Sequence, residues 1–141
     1  MTTLAPTDDE LRKLLLAVHS IAIVGVSANP ERASYQVARY LQKNSDYELF
    51  FVNPSEEEIL GQKVYKSLSE IEQEIDLVDV FRKPSDCLEV LHQAVAVKAK
   101  NIWLQLGISV AEVASEGAEA GLGVIMDRCI KIDHAKLLGN S

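Results

Sequence analysis

The residues best suited to bind a ligand follow a short apolar run near the start of the chain. Gly25 lets the backbone approach a ligand closely, Ser27 supplies a hydroxyl group and Arg32 supplies a positive charge. Ser34 is placed to cap the helix that follows, whose unpaired N–H groups point back toward the same loop. This combination favours phosphate binding, although a single glycine also fits an ordinary turn.

Two further polar segments follow later apolar runs. Asn53 and Pro54 come after the second run, where a dehydrogenase would carry an acidic residue for the ribose of NAD. Arg82 and Lys83 come after the third run, and an adjacent pair of cations is unusual in so acidic a chain. An uncharged residue at Asn53 tolerates an extra phosphate group, and the two cations could bind one. The pattern favours a phosphorylated ligand other than NAD, although neighbouring cations are often only solvated.

The last two runs end in residues with weaker signals. Gln105 and Gly107 offer an amide group and a close backbone approach. Cys129 stands beside Arg128, and a neighbouring cation can activate a thiol, although a small buried hydrophobic side chain is the competing interpretation. None of the three histidines lies beside a Ser or Cys nucleophile in a known arrangement, and no metal-ligand motif occurs. The sequence indicates a binding protein without catalytic residues.

Apolar runs that alternate with amphipathic stretches must position these residues. Runs that are apolar on both faces are typical of central parallel strands. The predicted strands cover residues 21–26, 47–52, 77–81, 101–106 and 123–126. The predicted helices cover residues 7–19, 34–45, 67–71, 84–97 and 109–120, with an irregular stretch at 55–65 and a tail around His134. This alternation predicts an α/β fold, a Rossmann-like open parallel sheet of about five strands with helices on both faces and ligands at the carboxyl ends of the strands.

Composition excludes several classes of function. The 141 residues suit one domain, residues 1–141, with a frayed tail at 1–6. A net charge of −7 argues against binding to nucleic acid or to an anionic membrane. Two cysteines cannot form a disulfide scaffold, and the chain has neither a secretory signal nor an apolar run of about 18 residues. We therefore expect a soluble, cytoplasmic protein.

Six segments, in order along the chain, carry a resemblance to a known family. They are Ile23–Ser27 with Pro30, Arg32, Ser34, Tyr35 and Val37; Val52–Pro54; Gly61–Tyr65; Asp79–Arg82; Trp103–Gly107; and Met126–Ile130. With these segments the chain resembles the small, single-domain CoA-binding proteins. It is also similar to the N-terminal CoA-binding domain of the succinyl-CoA synthetase α subunit, over roughly residues 15–135.

The resemblance implies a Rossmann-type fold that holds CoA at the carboxyl ends of the strands. It places Gly25, Ser27 and Arg32 beside the phosphates, Asn53, Phe81, Arg82 and Lys83 near the nucleotide, and Gln105, Gly107 and Cys129 along the pantetheine arm. The other predicted cofactor-binding residues are Val26, Ser34, Tyr35 and Pro54. Position 33 departs from the family, because Ala33 stands where proline is frequent. A mixed disulfide between CoA and Cys129 is a further hypothesis.

Two functions remain open on the sequence alone. The favoured one is a CoA or acyl-CoA binding protein that carries, buffers or senses its small-molecule ligand. The alternative is an enzyme that acts on a CoA thioester or uses an NAD(P)-like cofactor. The resemblance does not carry ligase chemistry across, since the phospho-histidine of the synthetase belongs to a further domain. Neither the acyl preference nor a protein partner can be inferred from these residues.

Overall fold

Five helices and seven strands alternate along residues 6–139, which a computed structural model of the chain describes. The helices are α1 (Asp8–Ala17), α2 (Ala33–Asn44), α3 (Pro84–Ala96), α4 (Ala111–Glu119) and α5 (Ile130–Leu137). The strands are β1 (Ser20–Val24), β2 (Glu48–Val52), β3 (Glu58–Ile59), β4 (Gln62–Tyr65), β5 (Leu77–Val80), β6 (Asn101–Leu104) and β7 (Gly123–Ile125), and a 3₁₀ turn covers Leu68–Glu70. Residues 1–5 of the predicted frayed tail lie outside the described residues.

The strands form one sheet in the order β3-β4-β2-β1-β5-β6-β7. Every neighbouring pair is parallel except β3 and β4. From β1 the chain moves to β2 on one side, and it later returns to β5 on the other side of β1. β1 therefore lies at a topological switch point, where open α/β sheets bind their ligands. The predicted Rossmann-like parallel sheet is confirmed.

Each face of the sheet has its own apolar core, which explains the runs that are apolar on both faces. All five residues of β1 are buried. Ala22 and Val24 pack into the core beneath α3 and α4, whereas Ile21 and Ile23 pack into the core beneath α1, α2 and α5. Within residues 6–139, no helix has the length and apolarity needed to cross a bilayer.

Two predictions about the chain path are wrong. Residues 55–65 are not irregular, because β3 and β4 form an antiparallel hairpin that extends the sheet beyond the predicted five strands to seven. Its turn places Leu60 at φ 52° and Gly61 at φ 76°, as tight hairpins require. The residues around His134 are not a tail, since α5 packs against α1 and α2 and buries His134.

A capping box starts α1. The hydroxyl of Thr7 accepts from the backbone N–H of Glu10 at 3.1 Å, and the carboxylate of Glu10 accepts from the N–H of Thr7 at 2.9 Å. This capping box satisfies two N–H groups that a helix start leaves unpaired. The helix ends at Ala17 rather than near His19, because the N–H of Val18 closes the last turn on Leu14.

Gly25 lies where the loop after β1 crosses the loop after β5. Its φ of +87° is in the left-handed region, and a Cβ atom at this position would collide with the carbonyl oxygen of Phe81. The N–H of Phe81 donates to the carbonyl of Val24 at 2.8 Å, which holds the two loops together. The sequence predicted that the backbone at Gly25 approaches a ligand closely. In the structure, it approaches the backbone of Phe81.

Asp79 lies in the middle of β5 with no exposed surface. It stands in register between Ile23 of β1 and Trp103 of β6, both fully buried. Neither carboxyl oxygen has a hydrogen-bond partner among residues 6–139. Burial raises the pKa of Asp79 well above its ordinary value, so this side chain stays a neutral acid to higher pH in the folded protein than in the unfolded chain.

Gly25→Ala should destabilise the fold much more than Gly107→Ala. Both glycines have φ +87°, but no atom lies within 4 Å of the position that a Cβ on Gly107 would occupy. Both substitutions carry the conformational cost of about 1–2 kcal/mol, and only the first also forces Phe81 to move. Urea unfolding of the two variants measures the difference, and equal losses would show that the crossing of the loops is not tight.

Asp79→Asn should change how stability depends on pH. The unfolded chain releases this proton near pH 4, whereas the folded protein keeps it, so wild-type stability falls as pH rises from about 4 toward neutrality. We expect the variant to match wild type near pH 4 and to exceed it at pH 7 by about 1–3 kcal/mol.

Urea unfolding at pH 4, 5.5 and 7 tests this prediction. Burial lowers the pKa of His134, which reduces stability below about pH 6.5, but both proteins share that effect and it cancels in their difference. Asp46→Asn, at an exposed carboxylate, is the matched control and should leave the pH dependence unchanged. A constant difference between Asp79→Asn and wild type at all three pH values would contradict a neutral Asp79.

Candidate functional site

A cleft of about 470 Å³ opens at the carboxyl ends of β1 and β5. The first turns of α2 and α3 border it from opposite faces of the sheet. Its lining consists of Gly25, Ser27, Arg32, Ala33, Ser34, Phe81, Arg82, Lys83 and Ile108. Seven of these nine residues were predicted from the sequence, so the topological switch point does bring the loops after β1 and β5 together.

Successive side-chain turns shape the loop between β1 and α2. The hydroxyl oxygen of Ser27 accepts from the N–H of Asn29, and the side-chain carbonyl of Asn29 accepts from the N–H of Glu31, each at 3.0 Å. The carbonyl of Asn29 also accepts from the N–H of Arg32 at 3.0 Å. Ser27 therefore uses an acceptor lone pair in the loop and keeps its O–H as a donor for a ligand.

The first turn of α2 starts without a side-chain cap. The prediction that Ser34 caps this helix is wrong. The chain enters the helix earlier, and Arg32 is the N-cap residue. Ser34 is buried instead, and its hydroxyl accepts from the N–H of Ser27 at 2.9 Å. Among residues 6–139, the N–H groups of Ala33, Ser34 and Tyr35 have no acceptor. Such a helix end attracts anions through its N–H groups and its dipole.

The first turn of α3 contributes a second uncapped helix start. Lys83 is its N-cap residue and makes no capping hydrogen bond, and Pro84 occupies the first helical position, as predicted. Arg82 forms an ion pair with Asp86, with 2.9 Å between Nη2 and Oδ2, so its charge is partly neutralised. Lys83 and Arg32 are exposed and form no ion pair within residues 6–139. These two side chains are the cations that a ligand in the cleft can reach.

Half of the predicted cofactor-binding residues lie outside the lining of the cleft. They are Val26, Tyr35, Asn53, Pro54, Gln105, Gly107 and Cys129. Val26 is fully buried, Tyr35 packs partly buried against the same core, and Pro54 is exposed beyond β2. Their role toward a ligand stays a prediction.

Asn53 and Gln105 use their side-chain amides inside the protein. The amide nitrogen of Asn53 donates to the carbonyl of Val26 at 2.8 Å, and its oxygen accepts from the N–H of Ser55 at 2.8 Å. The amide oxygen of Gln105 accepts from the N–H of Ile130 at 3.2 Å and anchors the start of α5. Both residues hold loops in place at the strand ends.

The surroundings of Cys129 bear on one expectation. The guanidinium of Arg128 is bound by the carboxylate of Asp133 through two contacts of 2.8 and 2.9 Å, so its charge is partly neutralised. Cys129 is half-buried and is the N-cap residue of α5. Two residues before it, the carboxylate of Asp127 accepts from the N–H of Gly107 at 2.7 Å. The mixed disulfide with CoA stays a prediction.

Sequence reasoning missed two residues of the cleft. Ala33 has no functional group, and only its place in the first turn of α2 brings it to the cleft. Ile108 directly follows Gly107 in the loop after β6, so the signal available was its position beyond a strand end. Among the described residues, no group of three or more His, Cys, Asp or Glu side chains is arranged to hold a metal ion.

Comparison with known proteins identifies relatives of this chain. The protein YneT of Bacillus subtilis (strain 168), described as uncharacterized, is 38% identical over 130 residues, which cover 92% of this chain and 96% of that protein. A hypothetical protein from Pyrococcus horikoshii OT3 has a solved structure with a TM-score of 0.92 and 37% identity, covering 99% of each chain. The α subunit of ADP-forming acetate–CoA ligase II from Pyrococcus furiosus is 40% identical over 57 residues, 40% of this chain and 12% of that subunit.

A family match covers most of the sequence. Residues 19–135 match the CoA-binding domain family, a span that runs from the start of β1 into α5 and includes every residue of the cleft. The resemblance found in the six sequence segments is thereby confirmed. The chain belongs to the CoA-binding domain family.

Proposed function

We propose that this protein binds CoA or acyl-CoA, with phosphates of the ligand in the cleft between α2 and α3, and that it acts as a carrier, buffer or sensor without catalytic machinery of its own. The family supports CoA as the ligand. The partial match to a subunit of an acetate–CoA ligase points the same way, since that enzyme by its name acts on CoA.

The observation that carries the proposal is that the uncapped start of α2 and two exposed cations, Arg32 and Lys83, share one cleft. The first turn of α2 offers unpaired N–H groups and the positive end of its dipole to the cleft, and Lys83, the N-cap residue of α3, lines the same cleft. Arg32 and Lys83 add positive charge there, in a chain whose net charge is −7. Groups of this kind bind phosphate oxygens, and the diphosphate of CoA carries several.

The rest of the lining suits a ligand that is partly apolar. Phe81 and Ile108 contribute apolar surface beside the cationic side chains. No His, Cys, Asp or Glu is among the residues described as lining the cleft, so the lining offers no evident general base for chemistry on a thioester. At the phosphate end of the ligand, the lining is therefore suited to binding rather than to proton transfer.

Ala33→Asp tests the role of the α2 helix start. A carboxylate in the first turn should repel phosphate and reduce CoA affinity by about tenfold or more, because it takes the place of the anion at the N–H groups. The same carboxylate should leave the protein as stable as wild type or stabilise it by about 0.3–1 kcal/mol. Calorimetric titration with CoA and thermal unfolding measure the two effects.

Ala33→Asn is the matched control, because it adds a side chain of the same size without charge. We expect Ala33→Asn to bind CoA several-fold more tightly than Ala33→Asp does. Undiminished CoA binding by Ala33→Asp would show that the phosphates lie elsewhere. Wild-type protein that binds NAD or NADP but not CoA would instead support the nucleotide-cofactor alternative.

Lys83→Ala tests which phosphate the exposed cation meets. If Lys83 binds the phosphate that CoA has and dephospho-CoA lacks, the variant should bind CoA about tenfold more weakly than wild type does. Its affinity for dephospho-CoA should stay close to that of wild type. Lys83 is chosen over Arg82, because Arg82 is already paired with Asp86. Lys13→Ala, at an exposed lysine of α1 outside the cleft, is the control.

The comparison of the two ligands separates three results. A selective loss of CoA affinity supports a contact with the additional phosphate. Equal losses for the two ligands contradict that contact and place Lys83 beside the diphosphate. A variant that binds both ligands as wild type does would overturn any role of Lys83 in binding.

A further inference from the structure

A second groove lies between α2 and α5. Its volume is about 350 Å³, within the range of small-molecule sites. Its lining consists of Pro30, Gln36, Arg39, Tyr40, Lys43, Asn44 and Lys131. None of these residues lines the cleft.

The groove concentrates positive charge in an acidic protein. Arg39, Lys43 and Lys131 line it, and no carboxylate is part of its lining. Within residues 6–139, none of these three cations forms an ion pair, so all three charges are available to an anion in the groove. The chain as a whole has 21 acidic and 14 basic residues, so a groove lined by three cations and no carboxylate differs in charge from the rest of the protein.

The positions of these cations also carry an energetic cost. Arg39 and Lys43 are four residues apart on α2 and therefore share one face of the helix, where like charges repel. Lys131 stands in the first turn of α5, where a cation opposes the positive end of the helix dipole. A bound anion would relieve both effects, because it would neutralise the three charges together.

Buried contacts hold the groove in shape. The hydroxyl of Tyr40 lies 2.8 Å from Nδ1 of His134, and the two rings meet edge to face at 5.5 Å between centroids. His134 is only 5% exposed, so this contact ties the floor of the groove on α2 to the interior of α5. The side-chain amide of Gln36 donates to the carbonyl of Pro30 at 3.4 Å. The cations therefore project from a preformed site rather than from mobile segments.

Neighbouring groups limit what can bind. An adjoining groove has Tyr40, Lys43 and Asn44 in common with this one and is also lined by Asp46. The carboxylate of Asp46 therefore bounds the positively charged region on that side. On the α5 side, the carboxylate of Asp133 is bound by Arg128. Three cations over so short a stretch match a compact polyanion, whereas nucleic acid needs a longer track of positive charge.

We propose that the groove between α2 and α5 is a second ligand site, which binds a small phosphorylated molecule with at least two anionic phosphate oxygens. The site is separate from the cleft, and its argument does not depend on what the cleft binds.

Titration with inorganic pyrophosphate, followed by amide NMR at near-physiological salt, tests the proposal. The expected result is saturable shifts at Arg39, Lys43 and Lys131, separate from any shifts at Gly25 or Lys83 in the cleft. In the double variant Lys43→Gln with Lys131→Gln, the affinity read from the groove should fall by about tenfold or more, and shifts in the cleft should persist.

The control is Lys13→Gln with Lys98→Gln, which removes the same charge from two exposed lysines outside both sites. Affinity within about twofold of wild type in this control supports a local site, because net charge alone would affect both double variants equally. Equal losses in the two double variants would overturn the proposal, as would wild-type protein without saturable shifts in the groove. Failure of CoA to bind the cleft leaves this test intact.

Discussion

The crossing of two loops beside β1 is the constraint on which the rest of the structure depends. β1 lies between β2 and β5, and the loops that leave β1 and β5 turn to opposite faces of the sheet. They can cross only because Gly25 has no side chain to meet the carbonyl oxygen of Phe81. The crossing places the starts of α2 and α3 on the two sides of one cleft, so the cleft is a consequence of strand order.

Much of the fold could be predicted from local patterns. The burial of β1 on both faces, the capping box at Thr7 and the proline at the start of α3 are properties of neighbouring residues. The hairpin of β3 and β4 has no such signal, because two residues make β3 and only Ile59 and Val64 mark its buried side. α5 was missed for a different reason. Its burial comes from packing against α1 and α2, which sequence spacing does not show.

The position of the cleft was predictable from the sequence, whereas the role of each polar side chain around it was less so. Strand ends indicated the right loops, since every parallel strand delivers its last residues to the same edge of the sheet. Whether a polar side chain there faces a ligand or the protein depends on tertiary hydrogen bonds. Asn53 binds the carbonyl of Val26, Gln105 binds the N–H of Ile130 and Arg82 binds Asp86. Arg32 and Lys83 look no different in the sequence, yet they are the cations left unpaired at the cleft.

Net charge and local charge act at different distances in this molecule. The charge of −7 acts over the whole surface, and salt screens such fields beyond about 8 Å at physiological ionic strength. Helix starts and unpaired cations act at contact distance, where screening is weak. The acidic composition therefore argues against long polyanions, which need an extended positive surface, and is compatible with a compact phosphate in the cleft or in the groove between α2 and α5. An acidic surface around such sites disfavours larger anions, so the same charge distribution that permits binding also restricts what binds.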